Sequence, residues 1–340
     1  MTAMPPQPAA DSRMLWYARP VAVAALAWLG RQGTRAVALS LFAGLALPWL
    51  AAAMKPLFTP SVFVLLCLAF LRVDPDALRR RFARPGLVLA ATAWMMIATP
   101  LVCGPLLARL GLAPGVLVAL MFQVAAPPVV ATAALAALMG LDAAAALAVL
   151  AACAVATPVS AAAFAALFLG DAIEISPLSL GLHLFAMLGG AAVLAMLVRR
   201  AMGQPWVERQ RERIDGLSVI ALFVFAVAVM DGVLPQSVER PAIVLGMIAL
   251  AFATSLVLGV TTALVFWRAG RTAALTLGLS AGLRNLGVMI AATGGRVPEL
   301  TWLYIAMAQF PVYLLPHLLK AVLARWGESP MSRYDSGREL

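Results

Sequence analysis

The chain has 340 residues, of which 63% are hydrophobic and 12% charged, with a mean hydropathy of +0.96. Soluble domains average roughly 45–50% apolar and about 25% charged residues, so the composition excludes an ordinary soluble domain. The formal net charge of +10 would suit nucleic acid in a soluble protein, but these basic residues gather at helix ends. There they read as topology, which makes the lipid bilayer the partner and excludes nucleic acid.

The N-terminal stretch MTAMPPQPAADSR lacks the basic start and apolar core of a signal peptide. The run PVAVAALAWLG, 20–30, is too short to span and is flanked by Arg19 and Arg31. It suggests an interfacial helix within a cytoplasmic segment over 1–35. Apolar runs then recur at lengths that match a hydrocarbon core of about 30 Å at about 1.5 Å per residue. They place ten membrane helices at roughly 36–54, 58–73, 87–108, 115–139, 143–169, 178–198, 216–234, 241–267, 272–293 and 299–322. The fold class is an all-α polytopic membrane protein, with a transmembrane domain over 36–322 and a cytoplasmic tail over 323–340.

With both termini on one side, that side collects twenty of the 25 Lys and Arg residues. The opposite side has four, Lys55, Arg109, Arg240 and Arg296. The asymmetry supports the ten-helix count and predicts a multi-pass protein of the cell inner (plasma) membrane with both termini cytoplasmic. Arg284 belongs to neither side. All fifteen acidic residues lie in termini, loops or helix ends, the deepest being Asp142 and Asp231. No helix centre carries the carboxylate that proton and sodium pathways commonly use. Cys67, Cys103 and Cys153 fall inside apolar runs without CxxC spacing and read as core thiols. His183 and His317 are the only histidines, so neither a metal site nor a cofactor is expected. His317, after Pro316, reads as a capping or packing residue, with a proton relay as the alternative.

Two helices look interrupted. The fourth contains QVAAPPVVATAALAALMG, with Pro127 and Pro128 in tandem. Two missing backbone donors and a clash with the preceding turn stop the helix from running through. The ninth contains GLSAGLRNLGVMIAATGG, with Gly278, Gly282 and Gly287 four and five residues apart. If 36–169 and 178–322 are two five-helix repeats, the second is inserted upside down and the interrupted helices occupy matching positions. Such pairs point to a transporter's binding site, where half-helix ends converge at the midplane. The simpler alternatives are a proline kink for the fourth helix and small-xxx-small packing for GLSAG.

The ninth helix also carries Arg284, about twelve residues in, too deep for its head to snorkel out. A guanidinium at a helix centre costs roughly 2.5–3.5 kcal/mol on insertion scales and does not shed its proton. Something must compensate it. Either backbone carbonyls at half-helix C-terminal ends hold it as a built-in cation, or it clamps a carboxylate through its bidentate fork. Asn285 offers a donor and an acceptor to a substrate, with a helix–helix hydrogen bond as the alternative. Gln123, one turn before the prolines, could reach the same cavity.

Over about residues 40 to 320 the chain resembles the bile acid:sodium symporters and their bacterial relatives. DALRRRFARPG (76–86) looks like that family's basic loop between helices two and three. TPLVCGPLLARLGLAPGVLVALMFQVAAPP (99–128) is similar to its third helix, short turn and fourth helix. GLSAGLRNLGVMIAA (278–292) aligns without gaps on its ninth-helix signature, with Gly282, Asn285 and Gly287 on matching positions. The resemblance implies a panel domain and a core domain, broken helices four and nine crossing in the core, and two sodium ions driving organic-anion uptake. It also implies where sodium ligands should stand. The family's glutamate falls on Ser280, its ninth-helix glutamine on Arg284 and a third-helix glutamine on Met95. The fourth-helix serine–asparagine pair falls on Thr132 and Ala133, and the fifth-helix hydroxyls on Ala146 and Leu150. Only Thr132 keeps a usable side-chain oxygen, so both sodium sites look dismantled.

The expected function is secondary transport of a small organic anion by alternating access, independent of sodium. The substrate-binding candidates are Arg284, Asn285, Thr132, Gln123, Pro127 and Pro128. Alternatives are a transport-dead scaffold or sensor, and a sodium symporter that uses backbone ligands. An arsenite-type efflux carrier would have a cysteine at the fourth-helix break, and none is there. The chain has no HExxH, carboxylate pair or P-loop, which argues against an enzyme and against ATP as the driving force.

Overall fold

The computed structural model describes residues 33–73, 78 and 85–325, and its regular elements are helices throughout. The expected interfacial helix over 20–30, most of the basic loop 76–86 and the tail beyond Arg325 lie outside the described residues.

The first helix, α1 (Gly33–Ala46), ends at Leu47, and α2 (Pro48–Met54) follows. Leu47 has φ −122° and ψ 76°, because a proline pushes the residue before it out of the α region. The sequence reading carried one helix across 36–54; instead the break falls at Leu47, and helical backbone continues from Pro48 through a tight turn at Lys55–Leu57 into α3 (Phe58–Leu71). Next, α4 (Gly86–Ala93) and α5 (Thr99–Arg109) are joined by a wide π turn, Trp94–Ala98. The Trp94 carbonyl accepts from the Thr99 N–H, the i→i−5 bond of such a turn, and also from the Thr99 hydroxyl at 2.8 Å.

After α6 (Pro114–Ala125) the chain runs extended to α7 (Thr132–Leu138). The long α8 (Ala143–Phe168) starts at Asp142, whose carboxylate accepts from the Ala145 N–H at 2.8 Å. In α9 (Pro177–Met202) Ser176 caps the start and Gly203, at φ 82°, ends it. The short α10 (Gln204–Arg209) leads into α11 (Arg211–Val229), and Gly232 at φ 75° turns the chain into α12 (Val233–Glu239). The chain continues through α13 (Pro241–Val265), α14 (Arg271–Gly282), α15 (Leu286–Ala292), α16 (Glu299–Met307) and α17 (Gln309–Arg325).

Among the described residues, seven helical runs are long and apolar enough to cross a membrane. Their outward faces carry large apolar side chains, Val155 at 81% and Phe185 at 67% exposed among them, as a lipid-bathed surface requires. This is a multi-pass membrane protein.

The helices pack in two groups. In the first, α3 runs antiparallel to α11, with Lys55 paired to Asp231 at 2.8 Å at one end and Arg72 to Asp215 at 3.2 Å at the other. Phe58 lies 5.3 Å from Phe225 between them. Helix α1 lies against α11 on the same side, where a Cβ on Gly44 would meet the Val227 backbone at 2.9 Å. Helix α9 completes the group, with the Arg199 Nη2 donating to the carbonyls of Phe70 (3.2 Å), Leu71 (2.6 Å) and Val73 (2.7 Å). A helix leaves its last carbonyls without partners, and Arg199 supplies one for the end of α3. Arg199→Ala should therefore lower stability by about 1–2 kcal/mol, the worth of a part-buried hydrogen bond from a charged donor. Thermal unfolding in detergent checks this, and an unchanged midpoint would refute it.

The second group holds α4 to α8 and α13 to α17. Its tightest seam is between α13 and α14. A Cβ on Gly278 would meet the Gly259 carbonyl at 2.8 Å, and one on Gly282 the Ser255 carbonyl at 2.9 Å. Backbones this close leave room only for small residues. Elsewhere Thr301 donates to the Gly115 carbonyl at 2.7 Å, and Trp94 Nε1 donates to Thr262 at 3.0 Å. The groups meet where α8 lies beside α9 and where α15 enters between α3 and α9.

Candidate functional site

The centre of the second group is the point where two helix breaks cross. Helix α6 stops because Pro127 and Pro128 have no N–H to continue its ladder, and Ala126 is already extended at φ −68°, ψ 148°. Helix α14 stops at Leu283, extended at φ −105°, ψ 94°. The two extended stretches then pair with each other. The Val129 N–H donates to the Leu283 carbonyl and the Asn285 N–H to the Pro127 carbonyl, both at 2.8 Å, so Pro128 and Arg284 form one antiparallel bridge. Each break thereby satisfies backbone groups that the other leaves open, as buried polar backbone must be.

Arg284 lies across this bridge and is 2% exposed. Its Nε donates to the Ala281 carbonyl and its Nη1 to the Ala126 carbonyl, each at 2.8 Å. Both acceptors belong to helix C-terminal ends, α14 and α6, where unpaired carbonyls and the negative end of the helix dipole favour a cation. The third nitrogen, Nη2, is buried and has no hydrogen-bond partner. Two helix ends thus hold a charge permanently, with one donor left uncommitted.

The other candidates are distributed unevenly around it. Pro127 and Pro128 are buried in the crossing itself. Asn285 starts α15: its Oδ1 accepts from the Val288 N–H at 3.3 Å, a cap within its own helix instead of a bond across helices. Thr132 is buried at the start of α7, and its hydroxyl donates back to the Val129 carbonyl. Gln123 is 2% exposed; its Nε2 donates to Ser255 Oγ at 3.3 Å, while its Oε1 is buried without a partner.

The positions implied as sodium ligands are committed elsewhere. The Ser280 hydroxyl donates to the Thr276 carbonyl of its own helix at 2.9 Å. Met95 lies in the π turn, buried among Val149, Cys153, Leu277 and Ala281. Ala146 is buried with Ala136, Leu279 and Leu283, and Ala133 packs against that cluster. Leu150 is likewise buried. Hydrocarbon fills these places.

The sequence offered backbone carbonyls at half-helix C-terminal ends as one way to hold Arg284, but not which ones: they are those of Ala281 and Ala126. Reading by residue type missed Ser255 and Gly259, although SLVLG (255–259) has the same small-xxx-small spacing as the GLSAG it packs against. A groove of about 500 Å³ lies between α4–α5 and α8, lined by apolar residues such as Leu89, Ile97, Leu101 and Val159. No residue of the crossing lines it, and its exposed apolar walls mark it as lipid-facing. Searched against protein-family models and against curated proteins, the chain matches none.

Proposed function

We propose that this protein is a secondary transporter of a small organic anion that works by alternating access without sodium. The observation that carries the reading is the seat of Arg284, a fixed cation donating to the C-terminal ends of two broken helices. A transporter of the bile acid:sodium symporter type would place a mobile cation at such a crossing. Here the guanidinium takes that part, and the uncommitted Nη2 is the donor an incoming carboxylate or sulfonate would meet. The free Oε1 of Gln123 is an acceptor, so it would suit a hydroxyl or amide donor elsewhere on the anion and not its charged group. The apolar filling around Met95, Ala146 and Leu150 speaks against a sodium symporter that relies on side-chain ligands.

Seven long helices, together with α1 and the two interrupted helices, would make ten passes. Two inverted five-helix repeats would explain why both interruptions meet at one point. The twenty-to-four split of basic residues then puts the Arg72 end of α3, and both termini, on the cytoplasmic side of the inner membrane.

The test has two steps. Purified protein is screened by thermal shift against small carboxylates and sulfonates; a ligand at about 100 times its Kd adds about 2.7 kcal/mol and raises the midpoint. Counterflow of the best ligand is then measured in vesicles with sodium replaced by choline. Flux should be unchanged, and its collapse without sodium would overturn the reading. A fold retained as a scaffold would give no flux in either buffer.

A further inference from the structure

Among the described residues, the side-chain hydrogen bonds that join the two groups cluster at one end of the molecule. Trp302, at the start of α16 in the second group, donates through Nε1 to the Val229 carbonyl of α11 in the first, at 3.1 Å. Its ring lies 5.2 Å from the ring of Phe58 and under the Lys55 ammonium, also at 5.2 Å. Lys55 in turn pairs with Asp231. Beside them His183 of α9 bonds through Nδ1 to the Ala292 carbonyl of α15 at 2.9 Å. At the opposite end, among the described residues, Arg72 and Arg199 bond to carbonyls, a hydroxyl and a carboxylate of their own group.

The chemistry of the two cross-group hydrogen bonds is the same. Val229 and Ala292 are the last residues of α11 and α15, so their carbonyls have no acceptor role left inside their own helices. Each is capped by a side chain from the other group. Val229 and Ala292 are buried, so each carbonyl keeps its cap while the groups are closed and meets water in its place only once they part. Lys55, with its side chain 54% exposed, forms an ion pair that solvent also screens. Such contacts hold two bodies together and part at little cost.

We propose that Lys55, Asp231, Trp302 and His183 form a reversible latch that closes the Lys55 end of the interface between the two helix groups. It rests on the transport reading: the described state is sealed at the Lys55 end, and opening the latch exposes the crossing to that side. Helix α15, whose Gly287 lies against the Phe225 ring, is the element that would be uncovered.

The test places a cysteine at position 292 (Ala292→Cys; Ala292 is 1% exposed) after replacing Cys67, Cys103 and Cys153 with serine. Its reaction with an impermeant maleimide is followed in nanodiscs, where both faces are reachable. Trp302→Phe keeps the ring and loses the Nε1–H, and Lys55→Met keeps the stem and loses the charge. Loss of one hydrogen bond of ordinary strength should raise labelling about fivefold in Trp302→Phe, and loss of the screened ion pair should raise it by a smaller factor in Lys55→Met. A control cysteine at buried position 148, within the second group, should stay unreactive. Equal labelling in parent and variants overturns the latch, as does an equal rise at 148, which would mean a loosened fold. The readout needs no solute: counterflow without a labelling change overturns the latch alone, and a labelling change without counterflow overturns transport alone.

Discussion

Arg284→Gln should abolish anion flux, by at least about a hundredfold, while leaving an inserted, folded protein. The substitution removes two charge-assisted hydrogen bonds, to Ala281 and Ala126, each worth about 1.5–3 kcal/mol. It also relieves roughly 2.5–3.5 kcal/mol that a central arginine costs on insertion. The two effects are of similar size, so stability should move little, whereas the crossing loses its only fixed cation among the described residues. Arg284→Lys separates the roles: it restores charge without the planar fork, and an ammonium cannot keep the directional pair of contacts. Its flux should stay below a tenth of the parent's, about 1.4 kcal/mol of lost stabilisation. Counterflow beside size-exclusion profiles reads both quantities. Flux at parent level in Arg284→Gln would return the residue to a purely structural part.

The second large effect is on folding. Gly278→Leu puts a side chain where even a Cβ lies 2.8 Å from the Gly259 carbonyl and 3.0 Å from Ala263 Cβ. The obstacle is backbone, so no rotamer change relieves it and α13 must separate from α14. A loss of about 3 kcal/mol or more follows, the upper range for overpacking, with little folded protein recovered. Gly246→Ala is the contrast: it lies in the facing helix α13, and a Cβ there meets nothing within 4 Å. That change should be neutral or stabilise by up to about 1 kcal/mol, since glycine is the weaker helix former. Similar melting points for the two variants would show that the seam is not tight.

The contrast also shows what the letters of the sequence can and cannot carry. Span lengths were legible because hydrocarbon thickness fixes them, and the α6 break was legible because proline lacks a donor. The glycines of α14 were ambiguous. A glycine needed for a break and one needed for close packing are the same letter, and only the position of Ser255 and Gly259 on the facing helix separates the cases. Gly278 and Gly282 prove to be inside α14 or at its last turn, packed on α13. Arg199 counted as one more topological charge, and its capping of α3 depends on a helix 126 or more residues away. The break at Leu47 had a signal in Pro48 that span counting overrode. For Arg284 the kind of acceptor was legible, a carbonyl at a half-helix end, but not the residues, because every residue has a carbonyl and which ones face a side chain is a property of the crossing.

Under the proposed cycle, the tethered guanidinium has an electrical consequence. A sodium symporter can release its driving ion; this protein cannot release Arg284. A monovalent anion paired with the guanidinium makes the loaded site neutral, whereas the empty site keeps a full positive charge. Membrane voltage, at about 2.3 kcal/mol per elementary charge per 100 mV across the full field, then acts on the return of the empty carrier and not on the loaded step. With no sodium gradient to draw on, net movement of the anion follows that voltage and the gradients of the transported anions. Exchange of one anion for another skips the empty return and should be almost insensitive to potential.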